Sequence, residues 1–81
     1  MKNNVDRDEI LSDIVKVVQN VTRSSAVDIG SSQENLIQWD SLAYMAIISE
    51  VEIRYHIEIT QDNISNFTSV ESICNLILEQ R

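Results

Sequence analysis

The 81-residue chain contains no proline and a single glycine, Gly30. β-rich folds use both residues at their turns, so their scarcity favours helices. Cysteine is equally scarce: Cys74 stands alone, which excludes an internal disulfide. Basic residues are few, with 6 Lys and Arg against 13 Asp and Glu, a formal net charge of −7. That balance argues against nucleic acid, which needs clustered cations, and suits basic protein partners. No apolar run approaches the length of a membrane span. The N-terminus, Met1-Lys2-Asn3-Asn4, leads into an acidic stretch without an apolar signal region. The expectation is a reduced, cytoplasmic setting without membrane insertion.

Hydrophobic residues make up 43%, enough for a packed core. The length fits one domain over 1–81, with 1–5 frayed. Asp6 and Glu9 form an acid variant of the capping box. Ile10, Leu11, Ile14, Val17, Val18 and Val21 follow at helical spacing, which predicts a first helix over 7–21. Residues 22–40 read as a long polar connection in which Gly30 permits a turn. Val27, Ile29, Leu36 and Ile37 are its expected core anchors, with one helical turn near 32–36.

The sequence then reaches Gln38-Trp39-Asp40-Ser41-Leu42, and a second helix is expected over 41–55. Asp40 or Ser41 can cap it, because a short side-chain oxygen accepts from a free N–H of the first turn. Read alone, this is an ordinary helix start. It also places a serine hydroxyl at the positive end of a helix, where an attached phosphate is favoured. Tyr44, Ile47, Ile48, Val51 and Tyr55 form one helical stripe, the expected core face. Leu42, Met45, Ala46, Ser49 and Ile53 repeat the same spacing on the opposite side. A small domain cannot easily bury both faces, so the second reads as a binding patch.

His56-Ile57-Glu58-Ile59 reads as a connector with Ile57 or Ile59 tucked inward, followed by a short helix near 61–66 that Thr60 can cap. Thr68 and Glu71 form a Thr-x-x-Glu capping box, and Val70, Ile73, Cys74 and Ile77 set the core stripe of a last helix over 69–80. The expected fold is therefore all-α: a small four-helix bundle with three longer helices, a short third one, and a long loop between the first two. Cys74 lies on a core stripe and reads as a buried small hydrophobe. His56, just past a helix end, reads as a favourable charge near the C-terminal dipole. A Cys–His catalytic pair has no supporting motif, and the scattered carboxylates offer no metal cluster. Neither catalytic residues nor a metal site are expected.

The stretch Trp39-Asp40-Ser41-Leu42, a fifteen-residue helix ending in Tyr55, and Ile57-Glu58-Ile59 together resemble an acyl carrier protein. The family motif is Asp-Ser-Leu at the start of the second helix, with an aromatic and a Glu-Ile pair after it. The resemblance spans nearly the whole chain in length, acidity and helix order. It implies that Ser41 carries 4′-phosphopantetheine, covalently attached from coenzyme A by a phosphopantetheinyl transferase, with Asp40 and Leu42 completing the motif. It further implies a non-catalytic, monomeric carrier whose thiol holds acyl groups for loading and transferring enzymes. The docking face would be Leu42, Met45, Ala46, Ser49, Glu52 and Ile53.

The chain also departs from the family pattern. Ala46 and Ile53 stand where carriers of primary fatty-acid synthesis usually have acids, Arg54 where another acid is common, and Trp39 where a small residue is usual. Glu50 and Glu52 remain. These changes resemble specialised carriers serving one fatty-acid, polyketide or polysaccharide-modification pathway. Two alternatives stand beside this: an aminoacyl carrier of peptidyl or D-alanyl type, and an unmodified helical interaction module.

Overall fold

The computed structural model describes residues 7–80; Asp6 of the first capping box and the segment 1–5 lie outside them. The described residues form an all-helical fold: α1 (Arg7–Thr22), α2 (Ser41–Tyr55), a short 3₁₀ segment (Ile64–Thr68) and α3 (Val70–Glu79). Among them there is no strand, only one isolated antiparallel bridge between Ser32 and Ser69. The expected short third helix is thus a 3₁₀ segment, preceded by a turn over 61–63, and it lies slightly later than 61–66.

The main contacts run from α1 to α2, from α2 to the 3₁₀ segment, from there to α3, and from α3 back to α1. They close a ring around one core. Ile10, Ile14, Val17 and Val18 of α1 meet Ile47 and Val51 of α2 and Ile73, Cys74 and Ile77 of α3 there, all almost fully buried. Cys74 is sealed in this core, as its place on the stripe predicts. Phe67 fills the gap that the 3₁₀ segment bridges, and the Tyr44 hydroxyl ties α2 to that segment by donating to the Ile64 carbonyl at 2.8 Å.

Several expectations change here. Tyr44 and Tyr55 are half-buried, because each keeps its hydroxyl on a polar partner at the core's edge. Ala43 is buried instead, so the inward stripe of α2 centres nearer 43, 47 and 51. In the long loop Val27 and Leu36 are anchors, but Ile29 and Ile37 are 53% and 93% exposed. Asp28 explains the first: its carboxylate accepts from the Gly30 N–H at 2.9 Å, and this side-chain turn throws Ile29 outward. Gly30 itself has no positive φ. A tight turn from Leu36 to the Trp39 N–H (3.0 Å) exposes Ile37 and sends Trp39 inward.

The last helix is capped one residue later than the Thr68–Glu71 box predicts. Ser69 is extended (φ −152°, ψ 157°), and its hydroxyl accepts from the Ser72 N–H. The reason is tertiary. The Thr68 carbonyl accepts from Gln33 N–H at 2.8 Å, and Val70 N–H donates to Ser31 at 3.1 Å. That pairing staples the long loop to the start of α3 and holds Ser69 in the extended conformation a cap requires. Ile57 is buried and Ile59 half-buried, as the connector reading requires.

Candidate functional site

Asp40 has the extended backbone of a cap residue (φ −92°, ψ −170°), and its Oδ1 accepts from the Ala43 N–H at 2.9 Å. Its carbonyl accepts the first helical bond, from Tyr44 N–H at 2.8 Å. Asp40 therefore makes the cap, and the Ser41 hydroxyl is not used for it. Ser41, the first residue of α2, is exposed. It stands two positions before the buried Ala43, about 200° around the helix, which turns it away from the core.

What fixes this serine lies just before it. Trp39 is 1% exposed, so the residue two places ahead of Ser41 is anchored in the core. Its indole Nε1 has no hydrogen-bond partner among the described residues. Burial of the large ring outweighs that unmet donor. The first turn of α2 carries no acid, so its positive end is offset only by the Asp40 cap. An open groove of about 470 Å³ runs between the end of α1 and the start of α2, lined by Asp40 and Leu42, the residues on either side of Ser41.

The outer face of α2 lies in solvent. Leu42, Met45 and Ile53 are 82%, 58% and 69% exposed, and Ala46, Ser49 and Glu52 are exposed with them. Arg54 does not add its charge to that face freely. It bonds Glu50 at 3.0 Å and reaches across to Asp13 of α1 at 2.6 Å. The Glu50 hydrogen bond first, and the Asp13 charge next, hold its guanidinium above its already high pKa.

The structure does not assemble a catalytic pair from Cys74 and His56. The Cys74 thiol faces the Arg7 carbonyl at 3.9 Å, and burial pushes its pKa up. His56 is exposed beyond the end of α2, in a left-handed conformation (φ 53°, ψ 40°). Among the described residues no group of carboxylates, histidine and cysteine could hold a metal ion. No described helix is long and apolar enough to cross a membrane.

Compared with family models, curated proteins and solved structures, the chain matches none. The site is therefore described by its own geometry. Sequence reasoning missed the anchoring role of Trp39 and the place of Arg23. Trp39 is flanked by Gln38 and Asp40, so no apolar periodicity marks it as core. Arg23 lines the α1–α2 groove but lies just beyond the end of α1, eighteen positions before Ser41, and no sequence signal links the two.

Proposed function

We propose that the chain is an acyl carrier protein, modified at Ser41 and presenting its cargo to partner enzymes. The observation that carries this reading is the exposed serine at the first position of a helix whose cap is already made by its neighbour. Ser41 supplies the oxygen to which 4′-phosphopantetheine is joined, from coenzyme A, by a transferase. The residues present fit the group. The Ser41 and Leu42 N–H groups have no acceptor within the helix, the helix end is positive, and the groove beside it is open. When attached, the group supplies the thiol that holds an acyl chain as a thioester; the protein supplies placement and recognition.

Asp40 caps α2 and so holds Ser41 at a fixed position, with Trp39, two residues earlier, anchored in the core. Leu42, Met45, Ala46, Ser49, Glu52 and Ile53 form the docking face. Its apolar character favours a specialised carrier serving one fatty-acid, polyketide or polysaccharide-modification pathway. In this reading the 3₁₀ segment takes the place of the short third helix of a four-helix carrier bundle, and the protein works as a cytoplasmic monomer.

The test is intact mass spectrometry after incubation with coenzyme A and a phosphopantetheinyl transferase. Wild type gains one arm, and S41A gains none. A gain in S41A overturns the site. No gain in wild type, with both broad and narrow transferases, overturns the carrier reading in favour of an unmodified interaction module. The same measurement on protein from its native host separates acyl from aminoacyl cargo.

A further inference from the structure

The end of α1 and the start of α2 face each other across a groove lined by Thr22, Arg23, Ala43 and Ala46 and by Asp40 and Leu42, the two neighbours of Ser41, among others. Arg23 is the cation on it. It sits one residue beyond α1 with a left-handed backbone (φ 59°), held by its N–H donating to the Gln19 carbonyl at 2.8 Å. A side-chain-bearing residue adopts that backbone at a cost, and here the turn it makes ends the helix at the groove. Among the described residues no carboxylate pairs with Arg23. The other described arginines are engaged: Arg54 by Asp13 and Glu50, Arg7 by Asn75.

Charge gives this arrangement a use. The chain has a net charge of −7, and Asp40 places a carboxylate on the same groove. A phosphodiester set there adds a further negative charge. Asp40 is partly offset, since its Oδ1 accepts from the Ala43 N–H. The remaining charge needs a cation, and a guanidinium meets a phosphate with two parallel hydrogen bonds. The wall opposite is apolar, Leu42, Ala43 and Ala46, and suits the dimethyl carbon that one methylene separates from the phosphate ester in phosphopantetheine.

The geometry points to Arg23 as the positioning residue that seats the phosphodiester joined to Ser41, so that the first part of the arm lies in the α1–α2 groove. This inference rests on the carrier reading above. Held by Arg23, the base of the arm would be fixed relative to the protein instead of free to turn about Ser41.

The experiment compares arm-loaded wild type, R23Q and R23K by ³¹P relaxation of the phosphodiester and by the Arg23 Nε–Hε resonance. In wild type, loading shifts that resonance and the phosphorus relaxes with the protein. In R23Q the transverse relaxation rate falls toward that of a free, flexible phosphodiester, and R23K retains part of the wild-type rate. In wild type, 1 M salt reproduces most of the fall, because the screening length drops to about 3 Å. R23G, which also relieves the left-handed backbone, is a second charge-free variant whose fold is not at risk. Equal relaxation in wild type, R23Q and R23G overturns the seat while leaving the attachment intact. A missing mass gain in wild type overturns the carrier reading, and the seat with it.

Discussion

The Tyr55 hydroxyl, at the last position of α2, donates to Oδ2 of Asp13 on α1 at 2.5 Å. Arg54 takes the other oxygen of the same carboxylate at 2.6 Å. One half-buried acid thus joins the far end of α2 to α1 through two donors. Removing the phenol oxygen in Y55F keeps the ring and loses a charge-assisted bond, a cost of about 1–3 kcal/mol. R54Q should cost less, because its side chain is 40% exposed and solvent screens the pair. Urea midpoints of Y55F, D13N and the double variant check this. Strict additivity would mean that the bond is not formed in solution.

The two faces of α2 should respond to truncation very differently. Ile47 is fully buried, so I47A loses burial and leaves a cavity, costing about 2–5 kcal/mol. Leu42 is 82% exposed, so L42A should stay within about 0.5 kcal/mol of wild type. Equal losses in chemical denaturation would show that the helix is turned otherwise.

The same asymmetry predicts how a partner docks. With Leu42, Met45 and Ile53 on the surface, apolar contact should dominate over charge. I53E should weaken binding of the loaded protein to its cognate enzyme. Raising salt from low to physiological should change affinity only modestly, since screening weakens exposed charge pairs and spares apolar ones. A titration in which salt abolishes binding and I53E leaves it unchanged would restore an acidic, charge-led face.

His56 closes α2 in the left-handed region, φ 53°, with its N–H on the Glu52 carbonyl at 2.9 Å. Glycine adopts that backbone without steric cost, so H56G should stabilise the protein by about 1 kcal/mol. Thermal melts provide the measurement, and an unchanged or lower midpoint would contradict the strained geometry.

The helices were readable because their information is local. The ends of α2 follow from Asp40 and the apolar spacing up to Tyr55, and the core stripe of α1 from a 3.6-residue period. The misplacements depend either on distant partners or on single backbone turns that an apolar pattern does not report. Ser69 rather than Thr68 caps α3 because the loop at Ser31–Gln33 pairs with it. Ile37 faces out and Trp39 in because of one backbone turn at Leu36, whereas composition marks both simply as apolar. The site divides the same way. Ser41 and Asp40 could be found from adjacent residues, but Arg23 joins them only because α1 ends where α2 begins.

The buried thiol of Cys74 bears on fidelity. Exchange of an acyl group between two thiols is nearly level in energy, so direction and loss are governed by which thiolates can reach the ester. A reactive cysteine on a carrier would draw cargo off the arm into a dead-end ester on its own scaffold. Here the side chain is buried against α1, and burial pushes its pKa up, which disfavours the thiolate. If the proposed arm is attached at Ser41, its thiol would be the one exchangeable sulfur, and that sulfur is not encoded in the chain's own sequence.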